Sequence, residues 1–472
     1  MTSRVVVLGG GISGLSTAWA LSTARPDLDV SVLEAASHVG GKIRRGWLSR
    51  VELGVDVGAE SVLARRPEAL DLIGELGLDE ALAHPRTSSA SLLNRGSLRE
   101  LPGGTMMGIP ADPQTLAALL TAQELRRAQS ETVGPGGAED IAIGDLVAAR
   151  LGDAVVDRVV EPLLGGVYAG HARRISAAAA LPAAFAAYRD GTALTAAARR
   201  ALPPSAEPAA PRAPVFAGLT SGLHRLPEEL VAALGARDVH VRTGVTVRGI
   251  ERSASGFTLV CGSAADEERV AAAGVVVAVP AAPAARLLAG LAPAAAAALR
   301  EVQTASMAIV TLAVPLAAMP QLPGSGVLVP PVEGFSVKAA TFSSQKWGWV
   351  HEWGTQSAAG PVALLRASLG RQGEEAVLQR DDADLVSLVV SDLRALGVAL
   401  PDPVDSLVQR WGGGLPQYAP GHLDRVARVR AAVASVPGLA VAGATYDGVG
   451  IPACIGSGRA AAEQVVASQW AA

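Results

Sequence analysis

The stretch "RVVVLGGGISGLSTAWALSTA" covers residues 4–24, and its pattern decides the fold. A short apolar run leads into a glycine turn and a helical pattern, and "VSVLE" (residues 30–34) is typical of a following strand. Gly9, Gly11 and Gly14 follow the spacing GxGxxG. The first glycine permits a tight turn, the second lets the backbone approach a pyrophosphate, and the third allows the helix to pack closely on the strand. The pattern therefore predicts a βαβ unit that binds a dinucleotide at the N-terminus of its helix.

The acidic residue at the end of the second strand indicates which dinucleotide binds. Glu34 lies 20 residues after Gly14, where a carboxylate can accept a hydrogen bond from a ribose hydroxyl. Its negative charge would repel the 2′-phosphate of NADP, which leaves FAD and NAD. Gly40, Gly41 and Lys42 follow closely and offer a second flexible backbone segment with a counter-charge for the phosphates. This second glycine pair favours FAD held for many turnovers, and an ordinary surface turn is the alternative.

Composition and charge limit the class of protein. The chain has 472 residues, of which 50% are hydrophobic and 18% charged, so we expect two or three globular domains. Its 40 basic and 44 acidic residues form no block of one sign, which argues against nucleic-acid binding. The cysteines, Cys261 and Cys454, and the seven histidines follow no metal-ligand, CxxC or HExxH spacing. We therefore expect no metal site and assign no catalytic side chain, because a flavin would carry the chemistry itself.

The hydropathy pattern predicts a soluble protein, and the two widely spaced cysteines favour the reducing cytoplasm. The first residues, "MTSRVVVLGGG", lack the pattern of a signal peptide. The long uncharged span from residue 302 to 332 contains five prolines, and its apolar part is shorter than a membrane-crossing helix. Peripheral contact with the inner face of the cell membrane stays open as an alternative.

Shifts in pattern along the chain predict three interleaved domains. A discontinuous cofactor-binding domain takes residues 1–85, 215–290 and 411–472. A substrate-binding domain with a mixed sheet takes residues 86–110 and 291–410, and a helical insertion takes residues 111–201. The five prolines of "LPPSAEPAAPRAP" predict a linker at residues 202–214. A helical pattern is also expected over residues 67–82.

Two further stretches carry small residues beside apolar runs. In "VDVGAESVLARRPEAL" (residues 55–70), Gly58, Ala59, Glu60 and Ser61 provide backbone donors that suit close approach to a flat ring. A plain turn that leads into the next helix is the alternative. Arg65 follows as a candidate for binding a carboxylate, although such arginines more often solvate the start of a helix. In "GATYDGVGIPACIGSG" (residues 443–458), a second glycine-rich turn precedes a helix near the end of the chain. We expect both glycine-rich ends of the chain to serve one cofactor site.

These stretches together resemble the porphyrinogen oxidases, an FAD-dependent family that includes protoporphyrinogen oxidase and bacterial coproporphyrinogen III oxidase. The resemblance is greatest to actinobacterial members. The matching stretches occur along the whole chain, in the same order as in the family. It rests on "VVVLGGGISGLSTAWAL", "HVGGKIR", "DVGAESVLARRPE", "PLLGGVYAG", "SSQKWG", "RWGGGLPQYAPGH" and "AGATYDGVGIPACIGSGRAAA". The first glycine turn is shared with amine oxidases and carotenoid desaturases, whereas "GVYAG", "QYAPGH" and "GVGIPACI" are more specific. The resemblance implies an α/β multidomain fold with a Rossmann-like FAD domain of the p-hydroxybenzoate-hydroxylase type.

The resemblance also implies the site residues. It places FAD contacts at Gly9, Gly10, Gly11, Ile12, Ser13, Gly14, Glu34, Ala35, Gly41, Lys42, Gly58, Ala59, Glu60, Ser61, Val247, Trp411, Val449, Gly450, Ile451 and Pro452. For the substrate it indicates Arg65, which could meet a propionate, and Gly166 and Tyr168, which could line the cleft. For Val247 and Trp411, ordinary core packing is the alternative.

The implied reaction is the oxidation of a porphyrinogen to a porphyrin by three successive two-electron steps. Oxygen re-oxidises the flavin and yields hydrogen peroxide. We expect coproporphyrinogen III as the substrate, with protoporphyrinogen IX as the runner-up, in heme biosynthesis. A flavin amine oxidase, a carotenoid desaturase and a non-enzymatic porphyrin carrier are more distant alternatives, and transient contact with other heme-pathway enzymes stays open.

Overall fold

The structure is a computed structural model that describes residues 4–87, 89–202 and 214–470. Residues 203–213 of the expected proline-rich linker lie outside the described residues.

A parallel sheet forms the centre of the cofactor-binding part of the molecule. Its strands, in spatial order, are β12 (His240–Arg242), β2 (Asp29–Leu33), β1 (Arg4–Leu8), β16 (Gly274–Val277) and β22 (Leu439–Val441). The apolar run of β1 is buried on both faces, as is usual for parallel strands that helices cover on both sides. The helix α1 (Ile12–Ala24) connects β1 to β2, so the predicted βαβ unit is confirmed.

Helices cover this sheet on both faces and form two separate cores. One face carries α1, α2 (Pro67–Glu75), α10 (Arg225–Gly235) and α17 (Ile451–Trp470). The other face carries α11 (Ala281–Leu288), α12 (Pro293–Arg300) and α16 (His422–Ala434). The helix expected over residues 67–82 is shorter than predicted and ends at Glu75, because Gly77 adopts a left-handed backbone conformation with φ of 68°.

A second, mixed sheet forms the centre of the other part of the molecule. In spatial order it contains β21 (Asp405–Pro416), β17 (Thr304–Pro315), β20 (Val362–Leu369), β19 (Val337–Thr341), β18 (Gly326–Leu328), β7 (Ser91–Asn94) and β8 (Ser97–Glu100). The pair β18 and β7 is parallel and the other pairs are antiparallel. One face packs against α15 (Asp382–Ala395). The short helices α13 (Ser343–Lys346) and α14 (Gly348–Thr355) connect β19 to β20.

The predicted helical region has a core of its own. Its helices are α3 (Ala122–Gln129), α4 (Ile143–Leu151), α5 (Asp153–Val155), α6 (Glu161–Tyr168), α7 (Ala177–Ala180), α8 (Pro182–Arg189) and α9 (Leu194–Ala201). A π-helical turn, Val156–Val160, joins α5 to α6. Pro162 follows this turn and has no N–H to donate, which accounts for the local change in hydrogen bonding. Over the described residues, every helix is too short or too polar to cross a membrane.

Smaller sheets connect these parts. They are β3 (Arg45–Leu48) with β4 (Leu53–Asp56); β5 (Val62–Leu63) with β11 (Phe216–Leu219) and β6 (Leu82–Ala83); β9 (Thr105–Met106) with β10 (Ile109–Pro110); and β13 (Val247–Ser253) with β14 (Gly256–Gly262) and β15 (Glu267–Ala272).

Two of the predicted domain boundaries disagree with the packing. The boundary between residues 290 and 291 separates α11 from α12, although both helices pack in one core against the parallel sheet. The boundary between residues 410 and 411 cuts β21, which pairs with β17 over its whole length. We propose instead that the substrate-binding segment runs from about residue 303 to residue 416, so that neither a core nor a strand is divided.

Candidate functional site

The turn between β1 and α1 has the shape that its glycines predict. Gly9 has φ of 106°, and a Cβ atom there would lie 2.6 Å from the carbonyl oxygen of Ala278. A Cβ atom at Gly14 would lie 1.9 Å from the carbonyl oxygen of Gly9, so α1 packs against the turn as closely as glycine alone allows. A Cβ atom at Gly11 would meet none of the described atoms within 4 Å. The outer side of Gly11, where the N-terminal N–H groups of α1 lie, therefore leaves room for a phosphate group.

Glu34 is held against this turn. Its carboxylate accepts hydrogen bonds from the backbone N–H of Gly10 and of Ala36, both at 2.7 Å. The backbone N–H of Val245 donates to the carbonyl oxygen of Glu34 at 2.9 Å, and this contact brings the segment that leads to Val247 to the same end of the sheet. Each carboxylate oxygen keeps a second lone pair. A hydrogen bond to a ribose hydroxyl therefore stays a prediction that this arrangement permits.

The second glycine pair connects the turn to the next predicted segment. Gly40 donates a hydrogen bond to the carbonyl oxygen of Gly10 at 2.8 Å, and Ala59 donates to that of Lys42 at 3.0 Å. A Cβ atom at Gly58 would lie 1.9 Å from the Lys42 carbonyl oxygen, so the two segments touch through their backbones. The Lys42 side chain has exposed surface, yet surrounding protein lowers the pKa of its ammonium group below the ordinary value by desolvation. This combination is typical of a cation that faces a cleft.

The segment Gly58–Ser61 is fixed by side chains from the mixed sheet. The indole N–H of Trp411, on β21, donates to the carbonyl oxygen of Val57 at 3.0 Å. Arg366, on β20, donates to the carbonyl oxygens of Gly58 at 2.6 Å and of Asp56 at 3.1 Å. The position of this segment therefore depends on contacts with the mixed sheet.

The Glu60 side chain forms a buried ion cluster with two cations. Its carboxylate lies 2.6 Å from the Lys346 ammonium nitrogen and 3.4 Å from the Arg366 guanidinium. Burial would raise the pKa of Glu60, but the two cations outweigh that effect and lower the pKa to about 2. Sequence reasoning assigned no role to Lys346 or Arg366. The available signal for Lys346 was its place in "SSQKWG", one of the family stretches, whereas Arg366 lies in a strand pattern that carries no motif.

The two glycine-rich ends of the chain lie side by side. Thr17 on α1 donates through its hydroxyl to the carbonyl oxygen of Gly458 on α17 at 3.0 Å. A Cβ atom at Gly458 would lie 2.3 Å from the carbonyl oxygen of Ser13. The turn before α17 uses Gly448 with φ of 137°, and α17 begins at Ile451. The N-termini of α1 and α17 therefore face one region, as one shared cofactor site requires.

The remaining residues of the C-terminal turn differ in exposure. Ile451, Pro452 and Cys454 are buried, whereas Gly450 is exposed and Val449 packs partly against the helical region. Burial raises the pKa of the Cys454 thiol, so this residue behaves as a packing group and not as a nucleophile.

The predicted substrate residues divide into exposed and buried ones. Gly166 and Val167 on α6 are exposed, and 44% of the Val167 surface is accessible. Tyr168 is only 8% exposed and packs against Tyr418 with ring centroids 5.6 Å apart. Burial raises its pKa to about 12. The buried Tyr168 ring offers little surface to an open cleft, whereas Gly166 and Val167 are accessible, and the lining of the substrate cleft by Gly166 and Tyr168 stays a prediction. Arg65 is exposed and forms neither a hydrogen bond nor an ion pair with the described residues.

The fold and the site define a flavin-binding oxidoreductase. The sequence model of a family described as flavin containing amine oxidoreductase matches residues 12–466. The chain belongs to this family. It is accordingly an FAD-dependent oxidase, and the α/β fold with its Rossmann-like cofactor domain agrees with the prediction from sequence.

Three similar proteins indicate which kind of oxidase within this family the chain resembles. A coproporphyrinogen III oxidase of Mycobacterium leprae is 39% identical over 474 residues, which cover 99% of each chain. A coproporphyrinogen III oxidase of Mycobacterium tuberculosis is 40% identical over 99% of this chain and 98% of its own. The crystal structure of a protein from Exiguobacterium sp. 255-15, provisionally named a protoporphyrinogen oxidase, matches with a TM-score of 0.82 and 30% identity over 98% of both chains.

Proposed function

We propose that this chain oxidises coproporphyrinogen III to coproporphyrin III in heme biosynthesis, with O2 as the electron acceptor. The observation that carries the proposal is the 39% identity to the Mycobacterium leprae coproporphyrinogen III oxidase, which spans 99% of both chains. The conversion removes six electrons and six hydrogens in three steps. Three O2 molecules take them up and leave as three H2O2.

The residues of the chain have distinct tasks in this proposal. Gly11 and the N-terminus of α1 hold the FAD pyrophosphate, and Lys42 supplies a counter-charge. FAD held there would supply the acceptor for the two electrons removed in each step. Exposed Gly166 and Val167 offer a small, apolar wall on which a flat macrocycle can rest. Arg65 is the candidate that binds a propionate by a forked hydrogen bond.

Protoporphyrinogen IX is the second candidate substrate. It is supported by the name of the Exiguobacterium protein, which is 30% identical to this chain. The two substrates differ in charge, because the coproporphyrinogen carries four propionates and the protoporphyrinogen carries two. The former therefore gains more from cationic groups at the cleft.

The test is an aerobic reaction of the purified yellow protein with each porphyrinogen, followed by porphyrin fluorescence and by peroxide release. We expect faster fluorescence gain with coproporphyrinogen III and one H2O2 for each two electrons removed. Equal rates would overturn the substrate preference. Absence of fluorescence with both would overturn the function, and amine turnover would then favour the amine-oxidase alternative.

We further propose a cytoplasmic location with peripheral contact at the inner face of the cell membrane, and transient contact with other heme-pathway enzymes. The support is the flat macrocycle of the product, whose two apolar faces favour direct transfer over release. Co-sedimentation with membranes that is lost on washing with salt would support the peripheral contact.

A further inference from the structure

The buried ion cluster of Glu60, Lys346 and Arg366 has an unequal charge. Two cations face one carboxylate, and all three side chains are only 13–14% exposed. The carboxylate of Asp56, a residue that lines the same small cavity as Glu60 and Arg366, is held by other groups. It accepts hydrogen bonds from the Leu223 and His224 backbone N–H groups at 2.8 and 3.0 Å and approaches the His224 ring at 2.9 Å. Counted over its three members, the cluster carries one more positive than negative charge.

The surroundings of the cluster preserve the effect of this charge. The Lys346 ammonium lies 5.1 Å from the ring centre of Trp347, which is 2% exposed, and 5.5 Å from that of Phe216. A cavity of about 30 Å³ beside Glu60 and Arg366 has Trp347, Trp349 and Trp353 in its wall. Aromatic walls and little bulk solvent reduce dielectric screening, so a charge acts over a longer distance there than at the surface.

The cluster adjoins Gly58–Ser61, the segment that the flavin is expected to contact. Arg366 donates to the carbonyl oxygens of Gly58 and Asp56, and Glu60 belongs to the segment itself. The same cations thus fix the backbone of Gly58–Ser61 and carry the charge surplus next to it.

We propose that Arg366 and Lys346 are positioning residues that fix Gly58–Ser61 and, through the surplus charge, favour two-electron reduction of the bound flavin. Reduction adds two electrons and one proton to the ring and leaves one negative charge, which a nearby cation stabilises. The inference rests on the proposed function only in that a flavin faces this segment.

The test measures the midpoint potential of the FAD-containing protein by reductive titration with dithionite and redox dyes. For Arg366→Met and for Lys346→Met we expect a roughly tenfold lower equilibrium constant for reduction. For a two-electron couple this corresponds to a midpoint potential about 30 mV more negative. For Glu60→Gln, which removes the carboxylate and keeps both cations, we expect a shift of similar size to more positive potential. A merely structural cluster would not give shifts of opposite sign.

Two further variants complete the test. Arg366→Lys keeps the charge and should return the potential towards that of the unmodified protein. Arg394→Met, on α15 at the opposite face of the mixed sheet, removes an exposed arginine paired with Asp402 and should leave the potential unchanged. If Arg366→Met does not fold, Lys346→Met and Glu60→Gln still form an oppositely signed pair.

The outcomes separate this inference from the proposed function. Opposite shifts support the inference even in a protein that turns over neither porphyrinogen, because dithionite replaces the substrate. Shifts of one sign, or unchanged potentials in all FAD-containing variants, overturn the inference and leave the proposed function as it was. An unmodified protein that holds no flavin would overturn both.

Discussion

The turn at Gly9–Gly14 and the segment Gly58–Ser61 belong to one candidate site but depend on different parts of the chain. The turn is shaped by its own glycines and by Glu34, which is 24 residues from its partner Gly10. The segment is fixed by Lys346 and Arg366, whose partners are 286 and 308 residues away along the chain. Half of the site is thus local in sequence, and the other half forms only after the mixed sheet and α13 have packed against the segment.

This difference has consequences for mutation. The turn works through backbone shape, so any side chain added at Gly9 or Gly14 should damage it, whatever the polarity of that side chain. The segment works through buried charge, so its response should depend on pH and on the sign of the charge removed.

Gly14→Ala should have the largest effect. The new methyl carbon would lie 1.9 Å from the carbonyl oxygen of Gly9, so α1 must move away from the turn. We expect a loss of more than about 4 kcal/mol in the free energy of unfolding, or failure to fold. Urea unfolding of the FAD-containing protein measures it. Gly235→Ala is the matched control, because its methyl group meets none of the described atoms within 4 Å. Similar stability of both variants would contradict the proposed packing.

Gly11→Val should separate binding from folding within the same turn. Gly11 has φ of −74°, which any residue adopts, and the outer side of the turn is open at this position. We therefore expect a folded, colourless protein whose FAD affinity falls about a thousandfold, or about 4 kcal/mol. Circular dichroism checks the fold, and flavin absorbance and FAD titration check the binding. A yellow Gly11→Val protein would place the pyrophosphate elsewhere.

The same division explains what the sequence could and could not predict. The βαβ unit, its glycine spacing and Glu34 form a local pattern, so the sequence could predict both these residues and their expected contacts with the cofactor. Lys346 and Arg366 could not be assigned, because their role comes from contacts with a segment about 300 residues away along the chain, which no local pattern encodes. The burial of Tyr168 depends on Tyr418, which is similarly distant along the chain. The predicted boundary between residues 410 and 411 cuts β21, because the strand continues through the glycines at residues 412–414.

Glu60→Gln should change the pH dependence of stability. The pKa of Glu60 lies near 2 in the folded protein and at an ordinary 4.5 when unfolded. Such a depressed pKa contributes stability above pH 4.5 that is lost as the pH falls towards 2. At about 1.4 kcal/mol per pH unit, the contribution at neutral pH is about 3 kcal/mol.

Urea unfolding at saturating FAD, from pH 7 down to the lowest pH at which the protein stays folded, measures this contribution. The variant should be less stable than the unmodified protein at pH 7, and the difference should shrink as the pH falls below 4.5. Glu352→Gln, on an exposed face of α14, serves as the control without such a trend. A difference that stays constant with pH would show that the Glu60 carboxylate gains nothing from its two cations.

Glu34→Gln should have the smallest effect, and it tests whether the local half of the site is purely a matter of shape. The amide keeps one acceptor oxygen for the N–H of Gly10 or Ala36, so the turn should persist. The variant loses the negative charge on the acceptor of the expected hydrogen bond from the ribose. The free energy of FAD binding should therefore weaken by roughly 1.5–3 kcal/mol. FAD titration of Glu34→Gln and Glu34→Ala measures this loss. Unchanged affinity in Glu34→Gln with weaker binding in Glu34→Ala would show that Glu34 only supports the turn. Equal loss in both variants would assign its contribution to the charge.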